Sequence, residues 1–405
     1  MNRIRRYSTG ASLLAAIFAL VLVQWALQTA GQAQARPTVQ GPVFQVDPFW
    51  PKNLPHNWVL GSVVGLSIDS RDHVWITHRG NVAPKEAGML PGTNGIQQPG
   101  GSPPAQPGDK RRISEICCEV APPVLEFDPD GNVVSSWGGP GAGYEWPPSM
   151  HGVTVDAKDN VWLAGNQGNT VLKFSRQGKF LLQIGKNGQS KGNTDTANLG
   201  RPAEVEIDNA ANEAYVADGY GNRRVIVFDA TTGAYKRHWG AYGKKPDDTD
   251  PGPYDPEKPL PQVFWTVHCV QIANDGLVYV CDRANDRIQV FRKDGTFVKE
   301  AQLARRTLGD GAVFDIAFSK DAPQKYMMIA DGANHRIWTL LRDPLQVVSH
   351  FGSGGRQPGQ FYSPHNVALD SKGNIYTVET YTGARVQKFA YKGMGAVATP
   401  EGNHN

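Results

Sequence analysis

The sequence has little excess charge of either sign. Its 405 residues carry 41 lysines and arginines against 38 acids, a formal net charge of +3 at pH 7. Residues 1–35 contain three arginines and no acid, so the rest of the chain is formally neutral. A neutral chain offers no electrostatic attraction to nucleic acid or to an anionic membrane surface. We therefore expect neither of these as a partner.

The N-terminal apolar run is too short to span a bilayer comfortably. It covers residues 13–27, is interrupted by Gln24, and falls short of the roughly 20 residues that a spanning helix needs. Three arginines precede it and the small-x-small pattern at 33–35 follows, as in a secretory signal peptide. We predict a signal peptide over residues 1–35, a periplasmic or secreted protein, and no stable membrane insertion after cleavage. An uncleaved anchor is the alternative.

Cysteine is scarce, with four in the whole chain. Export permits disulfides. Cys269 and Cys281 flank an Asn-Asp-Gly turn, and a hairpin centred on Asp275 would set them opposite each other, as candidates for a cross-strand disulfide. Cys117 and Cys118 are adjacent, so they form a strained vicinal bridge or stay reduced. The sequence leaves the state of both pairs open.

Helical periodicity is absent from the pattern that repeats along the chain. Each unit has an alternating apolar strand, a turn rich in Asp, Gly, Asn or Lys, a second strand, a third and usually a fourth. The six first strands cover residues 65–69, 152–156, 204–208, 269–273, 315–319 and 366–370. Units of about 45 residues with up to four strands are typical of propeller blades. The sequence therefore predicts an all-β, six-bladed β-propeller.

The sixth unit ends after three strands. We predict that residues 44–49 supply its fourth strand and close the ring, because closure removes exposed sheet edges. The predicted propeller domain covers residues 36–395 and a flexible tail covers 396–405. Two proline-rich stretches, 82–123 and 244–261, interrupt the repeat. We expect them to be solvated surface or the rim of one mouth of the central channel.

Histidine occupies one position of the repeat in every second unit. The residues before the six first strands are Val64, His151, Ala203, His268, Phe314 and His365. Alternate blades of a six-bladed ring lie about 120° apart around the axis. Three equivalent side chains there face one point, and three imidazoles with an open fourth position are a ligand set of catalytic zinc. The sequence predicts a metal site, at which copper, iron or nickel are alternatives to zinc.

Motifs spread over residues 65–389 resemble the peptidyl-α-hydroxyglycine α-amidating lyase, the catalytic propeller of the peptidylglycine α-amidating enzymes. They are THRGN at 77–81, HGVTVD at 151–156, VADGYGNRRV at 216–225, VHCVQIA and CDRANDRIQVF within 267–291, and SPHNVALD at 363–370. NHL-type propellers in general share the D-x-x-N-x-R-I-x-x-F element, so the joint order of the motifs carries the resemblance. It implies an NHL-type propeller after the signal peptide.

The resemblance also implies roles for individual residues. The three histidines hold zinc, Tyr220 acts as the base, and Arg79 and Arg283 line the site. From the residues alone, Tyr220 is equally consistent with packing in its DGYGN turn, and Arg283 with an inter-blade ion pair.

A structural calcium is a further implication. In the family it is held by two backbone carbonyls, which match Leu66 and Val153, and by an aspartate next to the third histidine. This sequence has Asn366 there. Asparagine still offers calcium a carbonyl oxygen, with one negative charge fewer. Gly200 and Gly221 stand where the family has a disulfide.

These features predict a zinc-dependent lyase that acts on a small-molecule or peptide substrate. It would split a peptidyl- or N-acyl-α-hydroxyglycine, which is a hemiaminal, into an amide and glyoxylate. One alternative is a non-catalytic exported NHL-repeat propeller that binds protein or glycan. Another is a metal-dependent lactonase or hydrolase, although six-bladed propellers of that kind bind their metal through carboxylates and asparagine.

Overall fold

The computed structural model describes residues 18–19, 37–80 and 119–400. In these ranges the chain forms 26 β-strands and three 3-10 helices of three residues each, Pro55–Asn57, Ala241–Gly243 and Arg283–Asn285. Six antiparallel sheets have four strands each, and a separate parallel pair joins two short strands, β2 (Trp58–Val59) and β5 (Glu119–Val120). The prediction of an all-β, six-bladed propeller is confirmed.

The first three blades follow one another along the chain. Blade 1 comprises β3 (Ser62–Ile68), β4 (Val74–Arg79), β6 (Val124–Phe127) and β7 (Val133–Trp137). Blade 2 comprises β8 (Val153–Val155), β9 (Val161–Gly165), β10 (Thr170–Phe174) and β11 (Phe180–Ile184). Blade 3 comprises β12 (Glu204–Asp208), β13 (Glu213–Asp218), β14 (Arg224–Asp229) and β15 (Tyr235–Trp239).

The second half of the ring repeats this order. Blade 4 comprises β16 (Val267–Ile272), β17 (Val278–Asp282), β18 (Arg287–Phe291) and β19 (Phe297–Gln302). Blade 5 comprises β20 (Asp315–Phe318), β21 (Tyr326–Asp331), β22 (Arg336–Leu341) and β23 (Gln346–Phe351). Blade 6 comprises β24 (Pro364–Leu369), β25 (Ile375–Glu379), β26 (Arg385–Ala398) and, from the start of the chain, β1 (Thr38–Asp47).

The innermost strands contact one another in a closed circle, β3 to β8, β12, β16, β20, β24 and back to β3. Six hydrophobic clusters fill the interfaces between neighbouring blades, one cluster to each interface. Trp75, Trp162 and Trp338 are completely buried in three of these clusters. Each donates its indole N–H to an aspartate of its own blade, so a large apolar side chain is buried without a lost hydrogen bond.

The N-terminal strand closes the ring, as expected, but over a different range. β1 pairs antiparallel with β26 from Thr38 to Asp47, whereas the sequence placed the closing strand at 44–49. β26 continues to Ala398, and the Thr399 N–H donates to the Pro37 carbonyl at 3.0 Å. Residues 396–398 are therefore part of a strand and not of a flexible tail.

The structure joins Cys269 and Cys281 by a disulfide across β16 and β17, with their Cα atoms 4.9 Å apart. The two residues lie directly opposite each other, as a hairpin centred on Asp275 requires. Both are buried in the cluster between blades 4 and 5. This bridge is therefore part of the packing between these two blades.

No helix within the described ranges is long and apolar enough to cross a membrane. Apart from Phe18 and Ala19, the predicted signal peptide lies outside the described residues, as do Cys117, Cys118 and residues 401–405. Of the stretch 82–123, the structure describes residues 119–123.

Candidate metal centre at the propeller axis

Each of the three histidines stands where an innermost strand approaches the axis. The sequence placed the repeated position just before the strand, but His268 and His365 lie inside β16 and β24. The pairing register shifts at both residues, so each is the extra residue of a β-bulge. Val64 has the same place in blade 1. A bulge re-aims a side chain out of the strand's alternating pattern, and here it aims imidazoles at the axis.

The three imidazoles converge. The ring centroids of His151, His268 and His365 are 4.7 to 4.9 Å apart, and one ring nitrogen from each lies within 4.8 Å of the others. All three residues are at least 97% buried, with exposures of 1%, 2% and 3%. The structure thus brings together the three residues that the repeat register selected.

The second nitrogen of each ring fixes which nitrogen faces the centre. Each Nδ1 lies 2.6 to 2.7 Å from a carbonyl oxygen, that of Ala203, Phe314 or the Asn366 side chain. A carbonyl only accepts, so each Nδ1 carries the proton and each Nε2 presents a lone pair. A hydrogen-bonded Nδ1–H is the usual support of a metal-bound histidine.

Burial keeps these histidines uncharged. It is the largest cause that lowers the pKa of His151 and His268 well below the ordinary value, and it lowers the pKa of His365 to about 3. Neighbouring positive charges, Arg79 at His151 and Arg283 at His268, act in the same direction. Neutral imidazole is the form that binds a metal.

Tyr220 reaches the same centre from the turn between β13 and β14. Its hydroxyl oxygen lies 3.1 Å from His151 Nε2 and 3.0 Å from His268 Nε2, and Arg283 Nη1 donates to it at 3.0 Å. The Arg283 guanidinium also lies over the Tyr220 ring, 5.2 Å from its centroid. Tyr220 thus contacts two of the three histidines, and Arg283 contacts Tyr220.

Arg79 is the last residue of β4. Its Nε donates to the Met150 carbonyl at 3.2 Å, next to His151. Among the described residues, no acid forms an ion pair with Arg79. Its guanidinium therefore lies beside the histidine cluster without being neutralised by a described carboxylate.

The histidine cluster fits a divalent cation such as zinc. Three imidazole lone pairs converge in a buried space, and the Tyr220 hydroxyl has one hydrogen to donate between the two Nε2 atoms beside it. At least one buried acceptor near Tyr220 is thus left without a donor from that hydroxyl, which is costly in an apolar interior. A cation bound to all three nitrogens removes this cost, and imidazole is a preferred zinc ligand.

Two other clusters in the described residues consist of residue types that can bind a metal, but neither is free to do so. Asp69, His73 and Glu126 surround the Arg176 guanidinium, which donates to Asp69 at 2.7 Å and also to Glu126, so a cation is already there. The second cluster uses Cys269, whose sulfur is in the disulfide. The axial histidines are therefore the metal candidate.

The calcium ligands that the resemblance implies stay a prediction. Leu66, Val153 and Asn366 lie on innermost strands of blades 1, 2 and 6. Both polar atoms of the Asn366 amide are engaged, since Oδ1 accepts from His365 and Nδ2 donates to Asp315 Oδ2 at 3.1 Å. The three predicted ligands are themselves neutral, whereas calcium sites rely on negatively charged oxygens.

Sequence reasoning missed two residues at the mouth of the site, Asp310 and Tyr381. Asp310 Oδ1 accepts from Arg283 Nη2 at 3.1 Å, and the Tyr381 hydroxyl donates to Asp310 Oδ2 at 3.0 Å. Asp310 lies in the link before blade 5, outside the repeated strands, so no repeat register singles it out. An aspartate beside two glycines in a polar link gives no separate signal.

The fold and the site together define an NHL-type six-bladed β-propeller with three histidines converging on its axis. No family model matches the sequence. Relatives found by sequence comparison are amidating enzymes and NHL-repeat proteins, so the resemblance stated from the motifs is confirmed.

Three relatives show the range of this similarity. Peptidyl-α-hydroxyglycine α-amidating lyase 1 of Drosophila melanogaster is 28% identical over 366 residues, which cover 85% of this chain and 59% of that protein. Peptidyl-glycine α-amidating monooxygenase B of Xenopus laevis is 26% identical over 344 residues, 82% of this chain and 34% of that protein. NHL repeat-containing protein 3 of Mus musculus is 24% identical over 376 residues, 87% and 85% of the two chains.

The chain thus spans from about a third to three fifths of the length of the amidating relatives. Among solved structures, a protein of unknown function from Bacteroides thetaiotaomicron superposes with a TM-score of 0.50. It is 15% identical, and the match covers 88% of this chain and 77% of the other. At that identity the likeness shows the fold alone.

Proposed function

We propose that this protein is a zinc-dependent carbon–nitrogen lyase that converts a peptidyl- or N-acyl-α-hydroxyglycine into an amide and glyoxylate. One observation carries the proposal, the convergence of three buried histidines with the Tyr220 hydroxyl at one point on the axis. The similarity of 85% of the chain to an amidating lyase supports the reaction class.

The reaction moves one proton and breaks one bond. The substrate hydroxyl loses its proton, its oxygen forms the C=O of glyoxylate, the C–N electron pair leaves with nitrogen, and the nitrogen gains a proton. When bound at the three histidines, zinc would supply a Lewis acid that makes the substrate hydroxyl more acidic. His151, His268 and His365 would hold it through Nε2, with Nδ1 fixed by carbonyl oxygens.

Tyr220 is the group placed to take the hydroxyl proton. Its oxygen lies about 3 Å from two histidine nitrogens, so a substrate oxygen in the histidine cluster comes within hydrogen-bond reach of it. Arg283 Nη1 donates to the same oxygen at 3.0 Å and places a positive charge beside it. Proton transfer by a positioned side chain of this kind accelerates reactions about 10² to 10⁴ fold.

Arg79 is the better placed of the two arginines to bind the substrate carboxylate. Arg283 is already engaged by Tyr220 and Asp310. Arg79 has no ion pair with a described acid, and its guanidinium offers two parallel donors that match a carboxylate. We therefore assign Arg79 to the glyoxylate end of the substrate.

We further propose that the protein acts outside the cytoplasm, as a periplasmic or secreted enzyme. The composition of residues 1–35 supports it, with three arginines before an apolar run and a small-x-small site after it. The buried Cys269–Cys281 disulfide suits an oxidising compartment.

Replacing Tyr220 tests the reaction. With N-benzoyl-α-hydroxyglycine as probe, we expect the wild-type protein to release benzamide and glyoxylate in equal amounts. Tyr220→Phe should lower kcat by about 100-fold or more, because it removes the group that takes the proton. Its zinc content should not change. Tyr235→Phe, an exposed tyrosine on β15, is the matched control and should keep full activity.

Undiminished glyoxylate release by Tyr220→Phe would refute the assigned base. The absence of any turnover by zinc-loaded wild-type protein would refute the lyase. The similarity to NHL repeat-containing protein 3 makes a non-catalytic propeller the rival, and it predicts that second result.

A further inference from the structure

We infer that Asp310 is a positioning residue for Arg283, which it holds against Tyr220 with the help of Tyr381; the kinetic part of this inference rests on the proposed lyase function. The three residues come from different parts of the ring. Arg283 follows β17 in blade 4, Asp310 lies in the link to blade 5, and Tyr381 follows β25 in blade 6.

The contacts form one chain across the mouth of the site. The Tyr381 hydroxyl donates to Asp310 Oδ2 at 3.0 Å, Arg283 Nη2 donates to Asp310 Oδ1 at 3.1 Å, and Arg283 Nη1 donates to Tyr220 at 3.0 Å. A guanidinium is planar and rigid. An acid that fixes Nη2 therefore also fixes the direction of Nη1 toward Tyr220.

Packing leaves the guanidinium little other freedom. It packs on two rings, 5.2 Å from the centroid of Tyr220 and 4.7 Å from that of Phe314. Its Nε is buried and has no hydrogen-bond partner in the described part of the chain. The two Nη atoms thus hold the orientation, one through Asp310 and the other through Tyr220.

The link that carries Asp310 is itself fixed to blade 4. Gly311 has φ +78°, and a Cβ there would lie 1.9 Å from the Arg283 carbonyl oxygen, so the backbone approach requires glycine. The Ala312 N–H donates to Asp286 Oδ1 at 2.7 Å, and the Leu303 N–H donates to the Asp286 carbonyl at 2.8 Å. Both ends of the 303–312 link are therefore tied to one residue beside Arg283.

Tyr381 is suited to its place as a permanent donor. Partial burial, followed by the charge of Asp310, raises the pKa of Tyr381 to about 12, although the residue is 39% exposed. The hydroxyl thus keeps its hydrogen and directs it at Asp310. The Asp310 carboxylate accepts from the neutral Tyr381 hydroxyl at Oδ2 and from the Arg283 cation at Oδ1, so both of its oxygens are held.

The two arginines, Arg283 and Arg79, therefore have different roles. Asp310 compensates the charge of Arg283, so this arginine serves Tyr220 and is a weak competitor for a substrate carboxylate. Arg79 is the arginine that we assign to the substrate carboxylate. Loss of Asp310 should therefore lower kcat and leave KM unchanged or lower.

The test is a double-mutant cycle with glyoxylate release as the readout. Asp310→Asn keeps the size of the side chain and removes its charge, and we expect it to lower kcat about tenfold with KM within about twofold, because a catalytic contact is misplaced. In an Arg283→Gln background the same substitution should change kcat less than about twofold. Tyr381→Phe should lower kcat about threefold in the wild-type background.

Asp275→Asn is the matched control. Asp275 is a comparably exposed acid, 43% against 46% for Asp310, and also pairs with an arginine, Arg342 at 2.6 Å. It lies in the turn between β16 and β17, at the opposite end of these strands from the histidines. We expect wild-type kinetics from it. Equal losses of kcat from Asp310→Asn in both backgrounds, or a loss from Asp275→Asn of the same size, would overturn the inference.

Crystal structures separate this inference from the proposed function. In the wild type we expect Arg283 Nη1 within hydrogen-bond distance of the Tyr220 oxygen, and in Asp310→Asn beyond about 4 Å. An unmoved guanidinium in the variant would overturn the positioning role, even if the wild type is an active lyase. If the wild type has no lyase activity but the guanidinium moves, the proposed function fails and the positioning role holds.

Discussion

At the scale of single residues, two of the three histidines of the site are bulge residues of innermost strands. The repeat register was sufficient to select His151, His268 and His365 from ten histidines. It did not predict that His268 and His365 lie inside their strands as bulge residues. A bulge depends on the pairing of two strands, and alternation within one strand does not show it. Asp310 was missed for a similar reason, because its partners come from distant turns.

Asn366 is a second residue whose role depends on a neighbour from another blade. Its amide bridges His365 and Asp315, and burial raises the pKa of Asp315 to about 7. An amide is suited to this place because one end accepts and the other donates. A carboxylate there would face the carboxylate of Asp315 in a buried space.

We predict that Asn366→Asp lowers Tm by about 5 °C at pH 8 in calcium-free buffer. Two buried carboxylates then repel each other, and added calcium should restore Tm by supplying the missing charge. Differential scanning calorimetry with and without calcium measures this. Asn374→Asp is the control, since Asn374 also donates to an aspartate but in a surface turn. A calcium-dependent Tm in the wild type would contradict our reading of Asn366.

At the scale of elements, alternation and turn residues predicted the order of strands well. The first strands were located within a few residues in all six blades, because turn residues such as Asp and Gly mark their ends. The closing strand was placed too late in the chain. β1 contains glycine and proline at Gly41 and Pro42, which are unusual inside a strand, and an edge position tolerates both.

The turn after β17 contains Asp286, which ties down the 303–312 link. Its side chain is buried, and Oδ2 makes no well-formed hydrogen bond with the described residues. Burial raises the pKa of Asp286 to about 8. The folded protein thus binds this proton more tightly than the unfolded chain does, so stability falls as pH rises from about 4 to 8.

We predict that Asp286→Asn raises Tm at pH 9 by about 2 to 4 °C and leaves it unchanged near pH 4. The amide keeps the Oδ1 contact to the Ala312 N–H and has no charge to bury. Thermal unfolding at pH 4, 7 and 9 gives the comparison. Asp294→Asn, in an exposed turn of the same blade, should show a Tm difference that does not grow from pH 5 to 9. If the Tm difference between Asp286→Asn and the wild type is the same at all three pH values, the raised pKa of Asp286 is contradicted.

At the scale of the whole molecule, the ring is held by six inter-blade clusters and by one strand from the other end of the chain. The sequence predicted six blades from the count of units, and it predicted the closing strand from the missing fourth strand of the last unit. Phe44 anchors the closing strand, with its ring 5.7 Å from that of Phe351 and 5.8 Å from that of Tyr391.

We predict that Phe44→Ala lowers the free energy of unfolding by about 2 kcal/mol, less than a fully buried phenylalanine because Phe44 is half-buried. Phe49, two residues after β1, is 78% exposed. Phe49→Ala should therefore change the free energy of unfolding by less than about 0.5 kcal/mol. Urea unfolding followed by tryptophan fluorescence measures both. Equal effects would mean that β1 does not close the ring.

The metal at the axis is the central claim, and the metal content of the purified protein tests it most directly. By elemental mass spectrometry we expect about one zinc ion per chain in the wild type and less than about 0.1 in His268→Ala, because two histidines do not complete the site. His238→Ala, on the outer strand of blade 3, is the control and should keep the metal. Wild-type protein without metal after zinc supplementation, or equal zinc in His268→Ala, would contradict a three-histidine metal centre.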